Sequence, residues 1–172
     1  MSARRIVTRM IIILLSLVAL VVVILGLGQV GLFEAIFRPG PLVPVDFTKL
    51  ERPASPNTYL VAPDGFTPVK SDAEAPVHGM SAEKLKANWE ALMARQPSIE
   101  KVAESPDGLQ IDYIQRTKLM HYPDWITVRF IPMPSDPETG DYSTLAVYSR
   151  SVYGYSDMGA NKARITKWLG GL

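Results

Sequence analysis

A stretch from Met10 to Gly28 carries no charge and has Ser16 as its only polar side chain, and it limits this chain more than any other feature. About 20 apolar residues in a helix cross the ~30 Å hydrocarbon core of a bilayer, and a helix satisfies its own backbone hydrogen bonds there. A secretory signal peptide is the competing reading, but its apolar region is only ~7–15 residues long and closes on a small-x-small site. Here the run is longer, and the Gly28–Phe33 segment that follows has no Ala-x-Ala pattern. The expectation is an uncleaved single-pass transmembrane helix over 10–30, behind a cytoplasmic tail over 1–9.

Orientation follows from charge. Arg4, Arg5 and Arg9 precede the run, and no acidic residue comes before Glu34. Basic flanks stay on the cytoplasmic side, so the bulk of the chain is expected outside, which in a Gram-negative bacterium means an inner-membrane protein with a periplasmic C-terminal domain. With those three arginines set aside, 15 basic residues face 17 acidic ones. That balance lacks the basic stripe a nucleic acid would require. Cysteine is absent, which excludes thiolate nucleophiles, disulfides and cysteine metal sites.

Residues 31–58 read as a proline-rich connector, with Pro39, Pro41, Pro44, Pro53 and Pro56 favouring an extended, semi-rigid spacer. Residues 59–172 are of ordinary single-domain size. A helix is signalled over 81–95, with Ser81 as cap, Glu83 in the first turn and Leu85, Trp89, Leu92 and Met93 on one face. Strands are signalled at Leu109–Arg116, Trp125–Ile131 and Ser143–Arg150, and a last helix over 161–169 with Asn161 as cap and Ile165, Trp168 and Leu169 as its apolar stripe. The fold class is therefore α+β: a sheet of three or more antiparallel strands, extended by segments near Tyr59–Val61, packed by at least two helices.

Side chains alternate across a strand, so each strand sorts into two faces. One face collects Leu109, Ile111, Tyr113, Ile126, Val128, Phe130, Leu145 and Val147, and should bury against the helices. The other collects Asp112, Ile114, Arg116, Trp125, Thr127, Arg129, Ala146, Tyr148 and Arg150. Arginine forks suit carboxylates and phosphates, so this second face reads either as an anion-binding surface or as a solvated face with Asp112 pairing one arginine. A one-residue slip in register would abolish the grouping.

The segment from Ser149 to Asn161 is dense in hydroxyls, with Gly154 and Gly159 permitting tight turns. It reads as a capped strand-to-helix connection, or as the rim of a small site into which Arg150 and Arg164 reach. Its residues Ser149-Arg150-Ser151 and Gly154–Asn161, then Arg164, Trp168 and Leu169, resemble the C-terminal signature of the domain-of-unknown-function 1499 family. So do Pro56–Pro63, Gln115-Arg116-Thr117 and Tyr122-Pro123-Asp124, with Thr117 and Tyr122 departing from a serine and a phenylalanine common there. The resemblance covers roughly 55–172. It implies a small bacterial membrane-associated or exported domain and no particular activity.

Catalytic patterns are thin. Gly154-Tyr155-Ser156-Asp157-Met158 starts like a nucleophile elbow, but Met158 stands where the second glycine belongs. A hydrolase would need Ser156 or Ser151 activated by His121, with Asp124 nearby. Two distant histidines offer no metal-ligand spacing, and no glycine-rich phosphate loop is present. The reading that fits best is a membrane-tethered, non-catalytic binding or accessory module without cofactor or metal. Its partners are the lipid bilayer and an anionic lipid or another membrane protein, and its ligand contacts are Arg116, Arg150, Tyr155, Asp157, Asn161 and Arg164. The hydrolase and a structural subunit of a membrane complex are the alternatives.

Overall fold

The structure, a computed structural model, describes residues 3–138 and 140–172. Helix α1 (Ala3–Leu27) contains both the arginines and the apolar run, so the basic residues lie on the same helix as the run. The helical path from Arg4 to Ile36 is long and apolar enough to cross a membrane, and its most apolar stretch is not buried against the rest of the protein. It leaves regular geometry at a π-turn over Gly28–Leu32, where Val30 and Gly31 depart from helical dihedrals, and resumes as the short α2 (Phe33–Ile36). Gly28 lets the Phe33 ring lie against the backbone there, since a Cβ would come within 2.1 Å of that ring and force it to move.

The domain is α+β, built on a six-stranded sheet in the order β2-β1-β6-β5-β4-β3. Its strands are β1 (Thr58–Ala62), β2 (Ala73–Glu74), β3 (Ile99–Glu104), β4 (Gln110–Arg116), β5 (Pro123–Pro132) and β6 (Ser143–Ser151). The expected meander is its β4-β5-β6 centre. The sheet is mixed rather than purely antiparallel, since β1 pairs with β2 in parallel while every other pair is antiparallel. The two outermost strands gave little sequence signal for a physical reason: β2 is two residues long, and β3 is an edge strand with mostly exposed, charged side chains.

Register places the faces as parity requires. Asp112 lies opposite Thr127 and Thr127 opposite Tyr148, while Ile114 lies opposite Trp125 and Trp125 opposite Arg150. The first face packs against α3 (Ala82–Met93) and α4 (Ala160–Leu169) around Trp89, whose ring meets those of Trp168 and Phe130 edge-on at centroid distances of 5.8 and 6.3 Å. Burying each large side chain there contributes ~1.5–3 kcal/mol. Ser81 caps α3 as its sequence suggests, its hydroxyl accepting from the Lys84 N–H.

The second face is not a solvated one. Phe47 and Leu50 from the proline-rich stretch form a second buried core on it with Leu60, Ala62, Ala146 and Tyr148, and Val45 and Phe66 pack around them. Between the prolines the stretch interleaves apolar residues, and they cover the sheet. Side chains of the sheet and its loops grip its backbone in turn. Arg116 donates to the Phe37 carbonyl, the Trp125 indole to Pro39, Gln110 to Val45, and the Tyr153 hydroxyl to Arg38.

Candidate functional site

Parity separates the residues read as one site. Arg150 lies on the face covered by the connector, whereas Ser149 and Ser151 project toward α4 with Asp124. The loop between β6 and α4 therefore serves two unlike places, and Arg150 and Arg164 do not converge.

On the helix side a polar knot ties α4 to the sheet. The Asn161 amide is fully used: its Oδ1 accepts from the Ser149 hydroxyl and from Arg164 Nη1, and its Nδ2 donates to the Asn57 carbonyl and to Ser151 Oγ. Arg164 forms an ion pair with Asp124, and both side chains are largely buried. Asn161 is not the cap its position suggested; it sits inside α4 and is fully buried. The capping is done by Asp157, whose carboxylate accepts from the backbone N–H groups of Gly159 and Asn161. Burial pushes the Asp157 carboxyl up, but those two backbone bonds outweigh it and hold the group below its ordinary value.

Next to this knot a cleft of about 370 Å³ opens between Phe37, Tyr122, Tyr153 and the 154–160 loop. Its polar lining is already committed, Asp124 to Arg164, Asp157 to the helix cap and Ser151 to Asn161. Tyr155 projects from the loop, 75% exposed. The Ser156 hydroxyl accepts from the Met158 N–H. The His121 ring faces Glu34 at 3.0 Å and Gln29 at 3.4 Å, at the end of the apolar helix. Among the described residues no hydrogen bond joins His121 to a serine, so the geometry offers the hydrolase reading no nucleophile–base pair.

The connector side differs. There the chain passes down the sheet through Val43 and Val45, turns at the short helix Phe47–Lys49, and returns through Leu50 and Pro53. The two limbs border an open cavity of about 390 Å³ that Tyr148 and Arg150 also line. The Arg150 guanidinium lies 5.4 Å from the centre of the Tyr148 ring, a cation–π distance. Its Nη2 reaches the Val43 carbonyl at 3.4 Å, while Nη1 is buried without a hydrogen-bond partner. The Tyr148 hydroxyl is likewise buried; Thr58 lies beside it, yet no well-formed hydrogen bond results. Burial lowers the affinity of Arg150 for its proton, and Tyr148 and Asp112 raise it in part; an arginine so placed remains a cation. Asp112 is itself buried, bonded to the Thr127 hydroxyl, and desolvation pushes its carboxyl up. The other arginines of this face are occupied, Arg129 in a paired contact with Asp107 and Arg116 on the carbonyls of Phe37 and His121.

Of the residues read as a site, then, Asp157, Asn161 and Arg164 are brought together as a structural pin, Tyr155 stands apart on the surface, Arg116 clamps the connector, and Arg150 is the one of them, among the described residues, with a buried donor that has no partner. Tyr148 shares the face that strand parity assigns to Arg150, whereas the covering residues Val43, Val45 and Leu50 were missed as contributors. Their signal was the alternation of apolar residues with prolines, which requires something to pack against. No metal-binding group of three or more acidic or histidine side chains occurs among the described residues. No curated protein and no solved structure matches the chain. Residues 50–172 do match a family, which takes in the whole sheet, both packing helices and the returning limb of the connector. The chain belongs to the family described as Protein of unknown function (DUF1499).

Proposed function

We propose that this chain is a membrane-tethered, extracytoplasmic binding module that holds an anionic group, a carboxylate or a phosphate, in the cavity between its connector and its sheet. One observation carries the reading: Arg150 Nη1 and the Tyr148 hydroxyl are both buried without a partner on residues that line that cavity, so a small shift of either side chain would present them to a ligand there. A buried donor left unsatisfied costs ~1–3 kcal/mol, more when it is charged. An anionic oxygen between the two would recover that cost through a charge-assisted hydrogen bond. Val43, Val45 and Leu50 give the cavity apolar flanks, which suit an anion carrying a hydrocarbon part; Lys49 lines it as a second cation, and the carboxylates Asp46 and Glu51 also line it and confine a bound anion to the Arg150 side. The arginines in the first turns of α1 and the length of the apolar helix support a cytoplasmic N-terminus with the domain on the opposite side.

Calorimetric titration of the full chain in detergent with decanoate, and separately with inorganic phosphate, tests this. Saturable binding of either probe is expected. Arg150→Ala should weaken it at least ~10-fold, the value of one charged hydrogen bond. Tyr148→Phe, which removes only the hydroxyl, should weaken it less while leaving the fold intact. Equal affinity for a probe in wild type and in folded Arg150→Ala would remove the cavity as the site.

A further inference from the structure

The end of the domain nearest α1 carries apolar side chains in places where a soluble surface would not keep them. Leu119 is 55% exposed, Tyr155 75% and Met158 98%. They are held there by ordered loops. In the loop between β4 and β5, the backbone N–H of Thr117 bonds the Tyr122 carbonyl, that of His121 bonds the Thr117 carbonyl, and that of Tyr122 bonds the Thr117 hydroxyl. In the loop after β6, Asn57 donates to the Gly154 carbonyl, Asp157 caps α4, and the Ser156 hydroxyl fixes Met158 in a left-handed conformation at φ 52°. Such a backbone costs a non-glycine residue free energy, yet it aims Met158 straight outward.

The two loops lie together across the Tyr122–Tyr153 contact, whose ring centroids are 6.0 Å apart. The first of them is bonded to the anchor helix itself. The Gln29 side chain donates to the Leu119 carbonyl at 3.2 Å, and Glu34 meets His121. Gln29 is the first polar side chain after Ser16 and lies at the end of the stretch read as membrane-spanning. Leu119 is therefore fixed at the level where a helix buried over 10–28 would leave the hydrocarbon. Exposed Lys118 and Lys162 border the same end.

We propose that this end of the domain is a bilayer-contact surface, with Leu119, Tyr155 and Met158 seated in the headgroup region of the membrane that α1 enters. Tyrosine is suited to that depth, its ring in the apolar boundary and its hydroxyl in water. Lys118 and Lys162 face phosphate groups of anionic lipids. The domain then stands on the surface by its loops as well as by its tether, and the cavity lined by Arg150 has a fixed orientation to the membrane.

This proposal rests on α1 being a membrane anchor, and the experiment separates the two. The chain has no cysteine, so single cysteines at L119C, Y155C and M158C, with E138C in the β5–β6 hairpin as reference, can each carry an environment-sensitive fluorophore. The full chain is reconstituted into vesicles of phosphatidylcholine and phosphatidylglycerol, with or without a nitroxide on the lipid headgroup. Labels at 119, 155 and 158 should lose most of their emission to the nitroxide, and the label at 138 should keep its own. Protein that floats with the vesicles but shows no more quenching at 155 and 158 than at 138 overturns the contact surface and leaves the anchor standing. Protein that fails to float overturns the anchor, and the contact surface with it.

Discussion

Adjacent residues in β6 have opposite fates. Ser149 points to α4 and is fully buried in a satisfied network, while Arg150 points to the connector and keeps a free donor. That split is legible from strand parity within β6, but parity says nothing of α4, and the sequence reading places Arg150 and Arg164 in one site, which the structure separates. The role of Asn161 was not legible, because a cap and a buried bridging amide look the same in sequence. What distinguishes them is Asn57, more than a hundred residues away in sequence, whose carbonyl accepts from the Asn161 amide. Asn161→Ala would strip the Ser149 hydroxyl of its acceptor, leave Ser151 Oγ without its donor, and take one bond each from the Asn57 carbonyl and Arg164 Nη1, which keep those to the Ser151 N–H and Ser149 Oγ respectively. It should cost ~2–4 kcal/mol, the range for breaking a buried hydrogen-bonded network. Thermal unfolding of the full chain in detergent, followed by tryptophan emission, should show the loss, since Trp168 lies on the helix that Asn161 pins.

At the scale of elements, the connector and α4 were read with unequal success. Five prolines predict an extended segment, which the structure interrupts with α2 and the short helix Phe47–Lys49, and extension does not say whether a segment stands free or lies on a surface. Phe47 and Leu50 are buried only because the second sheet face has no helix of its own, a fact of long-range assembly rather than of local pattern. The start of α4 obeys local chemistry more closely, since Asp157 bonds the first free N–H groups where the helix dipole favours an anion. Its carboxyl is held below the ordinary value in the folded protein. A group so lowered contributes stability that is complete above the unfolded aspartate pKa of about 3.9 and is lost as the pH falls through the folded value. Between about pH 5 and pH 2, Asp157→Asn should flatten part of the acid-induced loss of stability seen in wild type. Unfolding midpoints collected across that interval check the sign: a mutant with an unaltered acid slope would mean the carboxylate charge does not support the helix.

The molecule as a whole joins an apolar helix to a domain that is bonded to it at several points rather than hung from it. Gln29 holds Leu119, Glu34 meets His121, and Arg116 and Trp125 hold the carbonyls of Phe37 and Pro39 just beyond α2. The π-turn at Gly28–Leu32, with Gly31 at φ 95°, redirects the chain so that these contacts form. An arrangement of this kind makes topology a property of the entire chain, because inverting the helix would carry the domain with it. In the function proposed above, orientation rests on Arg4, Arg5 and Arg9, which lie within the first turns of α1 and have no acidic counterweight before Glu34. Basic residues at a membrane flank resist export. In a Gram-negative host, alkaline phosphatase fused after Leu172 should therefore be active, and a green fluorescent protein at the same place should be dark, since each reports one side of the membrane. Replacing the three arginines with glutamate should shift a measurable share of the chains to the reversed signal pattern. Fluorescent, phosphatase-inactive fusions of the unaltered chain would place the domain inside the cell.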